Sequence, residues 1–437
     1  MSHRLVLRDR MRRALNPINL RTVQAQKEAF RLVENPISSG AYSNALDSPP
    51  MIQLEYSDVP KERQLLVCCA RTRLRQGDIA RIRDLVLSGL DWRYLLDEAA
   101  NHSLRPLLYR HLQELGEVPD EAIAELRAAC RANAIRNLFL SAELCKVLDA
   151  FRRRGMAAIP YKGPIQAVHA YGDVALREFD DLDLILRQRD VPEAHEIMLS
   201  LGYAARFPWI HSRTPESHFI PGEYSYSDDG RRVMIELHTE LTLRHFPHPP
   251  NLDDFFARLI PVSIGSKEVL TFSPADLLPF LCVHGSKDFW ARLAWIADLR
   301  AMIEDFPDFP WDHSLGVARQ LGVERMLLLG VNLARNVFDL QLPDEIVAGV
   351  DRPVGHLARE FATRVLARHP RNIGALERFW IRWQMAGGIA RGARYAVRLT
   401  TSPAEEDLSD MPSPGRWWAL QPMLRPLRLL RKYGSAR

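Results

Sequence analysis

The sequence predicts an α/β chain of the α+β kind, with a small mixed β-sheet flanked by N- and C-terminal helical subdomains. Three observations carry that prediction. Residues 177–186, Arg177-Glu178-Phe179-Asp180-Asp181-Leu182-Asp183-Leu184-Ile185-Leu186, alternate with the period of two that marks a strand. Asp228-Asp229-Gly230 is a hairpin turn signal followed by the strand-like run 233–240. On either side of this centre, apolar residues recur at helical spacing.

The chain has 437 residues, enough for two or three domains. Hydrophobic residues make up 47% and charged residues 26%, the balance of a soluble globular protein. A formal net charge of +4 permits an anionic ligand but does not argue for nucleic acid. The five cysteines, Cys68, Cys69, Cys130, Cys145 and Cys282, lack metal-ligand spacing. They read as core thiols of a reducing compartment, which places the chain in the cytoplasm. No run is apolar enough to span a bilayer, and no signal-peptide core follows the basic N-terminus.

Residues 1–60 form a poorly patterned basic leader with Arg4, Arg8, Arg10, Arg12 and Arg13. Residues 61–155 read as a helical subdomain. Trp92, Leu95, Leu96 and Ala99 fall on one face, and a long helical run opens at Val118-Pro119-Asp120 and ends near Gly155.

Residues 156–272 are the mixed α/β part. A short strand over 157–161 runs into Lys162-Gly163-Pro164 and then a helix. Gly163 allows close backbone approach and Pro164 suits the first helical position. A strand, a glycine turn and a helix start make an anion site, to which Lys162 adds charge. In the next strand, Asp181 and Asp183 share a face about 6–7 Å apart. Two carboxylates that close repel, and a cation between them keeps both ionised. Asp180 falls on the leucine face. Glu236 sits on the strand after the hairpin turn. Met234, Glu236 and His238 share one face, which puts His238 at the rim of the site or in a structural hydrogen bond. The loop 207–215 carries His211 and Arg213, and 262–271 reads as a second hairpin around Gly265-Ser266. A phosphate cradle, an Asp pair and a third carboxylate are the parts of metal-assisted phosphoryl or nucleotidyl transfer.

Taken together, Lys162-Gly163, Arg177, Asp181-Leu182-Asp183 and Glu236-Leu237-His238 resemble the uncharacterised nucleotidyltransferases of the DNA polymerase β-like superfamily. The likeness extends upstream to Gly89-Leu90-Asp91-Trp92, Ala99, His102 and Pro106-Leu107-Leu108-Tyr109. Downstream it takes in His284, Lys287, Trp295 and Asp298-Leu299, so that it covers roughly residues 64 to 305. Two positions depart from the pattern. Gly163-Pro164 stands where the superfamily usually has Gly-Ser, which removes a hydroxyl contact to phosphate, and Thr239 stands where Trp often follows Leu-His.

The resemblance implies a nucleotidyltransferase core that transfers NMP from an NTP such as ATP to an acceptor hydroxyl, releasing pyrophosphate. Asp181, Asp183 and Glu236 would be catalytic and would hold two Mg²⁺, or Mn²⁺ in their place. Lys162, Gly163, Arg177, Lys287, His284 and His238 would bind the nucleotide. The acceptor stays open between protein, RNA, sugar and small molecule. A catalytically silent binding module for RNA or a protein partner is the alternative, as is a membrane-associated component of a surface-polymer pathway.

Residues 273–400 form the C-terminal helical subdomain. Its first helix opens with Ser273 as N-cap, Pro274 at the first position and Asp276 at the third. His284 and Lys287 lie one turn apart on it, facing either the ligand or a buried polar cluster. Residues 401–437 are a linker and a basic-aromatic tail that interleaves Trp417, Trp418, Leu420 and Leu424 with Arg416, Arg425 and Arg428. That tail fits a peripheral membrane contact, an RNA-phosphate patch, or docking on its own domain.

Overall fold

The computed structural model describes residues 59–206, 222–230, 232–240, 246, 252–306, 308–367 and 372–401. The basic leader, the loop with His211 and Arg213 and the C-terminal tail lie outside the described residues. Among the described residues five helices come first: α1 (Lys61–Cys69), α2 (Gln76–Leu87), α3 (Trp92–Asn101), α4 (Arg105–Leu112) and the long α5 (Asp120–Arg153). The mixed region follows with β1 (Ile159–Pro160), α6 (Pro164–Tyr171), β2 (Asp181–Ile185), α7 (Val191–Ser200), β3 (Ala204–Ala205), β4 (Glu223–Ser227), β5 (Met234–His238), α8 (Leu252–Phe256), β6 (Ile260–Ile264) and β7 (Lys267–Thr271). The chain then returns to helices: α9 (Pro274–Lys287), α10 (Leu293–Glu304), α11 (Trp311–Gln320), α12 (Glu324–Phe338), α13 (Asp344–Leu366), α14 (Ala375–Ala386) and α15 (Ile389–Thr401).

The main sheet has the order β1-β2-β5-β4-β3. β2 and β5 run parallel and the other pairs antiparallel, so the sheet is mixed as expected. Alternation along β2 works as the sequence implies. Leu182 and Leu184 point into one core with Ile235, Leu237, Tyr224 and Tyr226, covered by Leu140, Leu144 and Phe151 of α5 and Ile197 and Met198 of α7. The opposite face is left to Asp181 and Asp183. The Asp228-Asp229-Gly230 turn joins β4 to β5, and β6 and β7 form the second hairpin around Gly265, which has φ +60°. The strand expected over 157–161 is reduced to Ile159–Pro160, because Gly163 turns the chain sharply into α6.

The N- and C-terminal helices share one hydrophobic core that runs from Leu65 to Tyr395. Arginines stitch the two ends across this boundary. Arg71 donates to the carbonyl of Phe338 at 3.0 Å, Arg300 to that of Ala70 at 2.7 Å, and Arg63 to that of Val365. Each meets a carbonyl at or next to a helix end, where a buried guanidinium can supply a donor.

No helix among the described residues is long and apolar enough to cross a membrane. Four of the cysteines are buried and Cys130 is half-buried, and all five are free thiols.

Candidate functional site

Parallel register sets the site. Asp183 of β2 faces Glu236 of β5, and Ile185 faces His238, so the two acids are neighbours across the sheet. His238 lies one pleat further along the same face and folds back. Its Nε2 is 2.9 Å from Asp183 Oδ1 and 3.5 Å from Glu236 Oε2. Side-chain ligand atoms of Asp183, Glu236 and His238 converge within 4.8 Å, a set able to hold one divalent cation. Asp183 is the centre of this group. Its side chain has no exposed surface, Oδ1 is shared by Lys162 at 2.8 Å and His238, and Oδ2 is buried with no partner among the described residues. A buried carboxylate oxygen without a partner is costly, and a cation is the ligand that satisfies it.

The electrostatics follow from burial and crowding. Burial alone would raise the Asp183 carboxyl, but Lys162 and His238 hold it well below the ordinary carboxylate range. Asp181, on the same face two residues earlier, feels the charge of Lys162 but makes no hydrogen bond to it or to His238. Burial and then the charge of Asp183 push it up to about 7. Burial would lower the His238 imidazole, yet its bonds to Asp183 and Glu236 push it up to about 9. Lys162 also stays charged. Burial opposes the ammonium, and Asp183 outweighs burial.

The turn after β1 brings Lys162 to this point. Gly163 has φ +54° and ψ −123°, a conformation closed to other residues. A Cβ there would sit 3.2 Å from the Asp181 carbonyl, so the glycine lets the turn pack onto the backbone of β2. Pro164 takes the first position of α6, as expected.

The remaining residues fall in two places. Lys287 and His284 of α9 border the carboxylates. Lys287 Nζ is 3.5 Å from Glu223 Oε2, and His284 packs its ring edge against Trp295 at 5.1 Å. Burial, with the charge of Lys162 added, holds His284 well below its ordinary value, so it is a neutral imidazole. Arg177 goes elsewhere. Its Nε pairs with Asp298 at 3.0 Å in a buried knot where Gln166 and Tyr171 also donate to Asp298, at 2.8 and 2.7 Å. The side chain of Asp180 is mostly exposed and 3.4 Å from Arg136.

Glu223 was missed by reasoning from sequence. It opens β4 directly opposite His238, with Oε2 4.0 Å from His238 Nδ1. Burial would raise it, but Lys287 and His238 lower it instead. Counting back from the Asp228-Asp229-Gly230 turn in twos would have placed it on the acidic face.

A mixed sheet with Asp-x-Asp on one strand and an acid beside it on a parallel neighbour defines the nucleotidyltransferase-like class. The chain belongs to the uncharacterised nucleotidyltransferase family, whose model matches residues 88–339, more than half of its length. That family is part of the DNA polymerase β-like superfamily. A search of curated proteins finds no match.

Proposed function

We propose that this protein is a metal-dependent nucleotidyltransferase that moves NMP from an NTP to an acceptor hydroxyl. The observation that carries this is the bare, buried Oδ2 of Asp183 set beside Glu236 and His238. Asp183, Glu236 and His238 would hold one ion, and Asp181, one pleat away on the same face, would complete a second with Asp183. Mg²⁺ or Mn²⁺ bound there would neutralise the polyphosphate and acidify the acceptor hydroxyl. Glu236 would receive the hydroxyl proton as the acceptor oxygen bonds to the α-phosphorus. The α–β anhydride bond then breaks and pyrophosphate leaves. Lys162 and the start of α6 would take the phosphates, with Lys287 at the rim and His284 toward the sugar or base. Arg177, fixed to Asp298, would serve the site by anchoring the loop that leads into Asp181.

The test is incubation with labelled NTP, Mg²⁺ and cell extract, alongside pyrophosphate release and calorimetric Mg-NTP binding. Label on a specific acceptor, lost by several orders of magnitude in Asp181→Asn and Glu236→Gln, is the expected result. Failure to bind any Mg-NTP would overturn it. A second reading, a binding module without turnover, draws on Pro164 in place of the phosphate-contacting serine. Mg-NTP binding with neither label nor pyrophosphate would favour it.

A further inference from the structure

The two oxygens of Asp183 are treated unequally. Oδ1 is bonded by the Lys162 ammonium at 2.8 Å and by the His238 ring at 2.9 Å, while the buried Oδ2 has no partner among the described residues. An ammonium this close to a carboxylate repels any divalent cation that approaches the same group. Lys162 is not a fixed strut, however. Its side chain keeps 13% exposure, Asp183 is the one carboxylate it bonds among the described residues, and the Tyr161 ring centroid lies 5.0 Å from its Nζ. It also directly precedes Gly163 and the start of α6, where an anion would dock.

We propose, building on the nucleotidyl-transfer function above, that Lys162 is a two-position switch. In the empty site it occupies Asp183 and keeps free divalent cations weakly bound. A metal–polyphosphate complex releases it by offering a phosphate in exchange for the carboxylate. The site thereby takes metal and nucleotide together and discriminates against free metal.

Mn²⁺ titration of the full chain, read by electron paramagnetic resonance, tests this with and without the non-hydrolysable analogue α,β-methylene-ATP. Wild-type protein is expected to bind Mn²⁺ about tenfold or more tightly when the analogue is present, within the usual range of coupling between sites. Lys162→Met is expected to bind Mn²⁺ alone about tenfold more tightly than wild type and to lose most of that coupling. Lys162→Arg keeps the charge and should behave as wild type. Mn²⁺ affinity in Lys162→Met equal to or below wild type overturns the switch. Should Lys162→Met not fold, absence of coupling in the wild type overturns it equally. If the analogue does not bind at all, the nucleotidyl-transfer function falls, and the comparison of Mn²⁺ alone still decides whether Lys162 blocks the cation.

Discussion

Asp181 and Asp183 differ in sequence only by position, yet replacing each by asparagine should move stability in opposite directions. In the metal-free protein Asp181 is pushed up to about 7 by burial and by its neighbour's charge. Its folded-state pKa therefore lies above the unfolded value. The folded chain holds a proton that the unfolded chain releases between about pH 4 and 7, and stability falls as pH rises through that window. Asp181→Asn removes this penalty. It should stabilise the protein at pH 8 by about 1–2 kcal/mol, less than the full shift because the carboxyl keeps some contact with solvent, and by only about a few tenths of a kcal/mol near pH 4.5. Asp183→Asn does the reverse. Lys162 and His238 lose a charged acceptor at 2.8 and 2.9 Å whose own side chain has no solvent contact. Removing one partner of such a buried pair costs about 3–5 kcal/mol. Urea denaturation in EDTA at pH 4.5 and 8 reads both effects, with exposed Asp180→Asn as the control, expected within about 0.5 kcal/mol of wild type. Equal destabilisation by the two Asn variants would refute the assignment of the internal cations to Asp183.

Three further outcomes follow from the geometry. His238, raised to about 9 by Asp183 and Glu236 against burial, contributes stability that is complete below about pH 6.5 and lost as pH climbs through 9. His238→Asn should flatten that alkaline limb of the pH–stability curve, and a limb unchanged in the variant would remove the imidazolium from the site. Gly163→Ala should lower stability by about 1–3 kcal/mol, since it combines a forbidden conformation with a 3.2 Å approach to the Asp181 carbonyl; a melting temperature equal to wild type would show that the turn can relax. Arg177→Met should cost about 3–5 kcal/mol in chemical denaturation by leaving Asp298 charged and buried. A variant with native stability and weakened NTP binding would instead assign Arg177 to the nucleotide.

Much of this was legible in the chain because the signals are local. The period of two in β2, the Asp-Asp-Gly turn and the Ser273 cap each specify structure within a few residues, and all three appear in the fold. The partners of the charged groups were not legible. Arg177 meets Asp298 from 121 residues away, and no spacing rule links them. The inequality of Asp181 and Asp183 arises from sheet order. Only the placement of β5 beside β2 brings His238 and Glu236 to one aspartate and not the other. Lys162 was expected at a phosphate, and its pairing with Asp183 comes from the antiparallel pairing of β1 with β2, which spacing along the chain does not reveal.

The knot around Asp298 bears on how far the chain can be dissected. It draws Gln166, Tyr171 and Arg177 from the sheet region and its acceptor from α10, beyond residue 272. A fragment ending at 272 would keep the whole acidic face yet strand a guanidinium inside, with two further donors unanswered. Such a piece should not be autonomous, and supplying residues 273–401 as a separate polypeptide is the natural route to restoring it by complementation in trans. The carboxylates read as a self-contained motif, but their scaffold is a folding unit that the chain closes only after α10 is made.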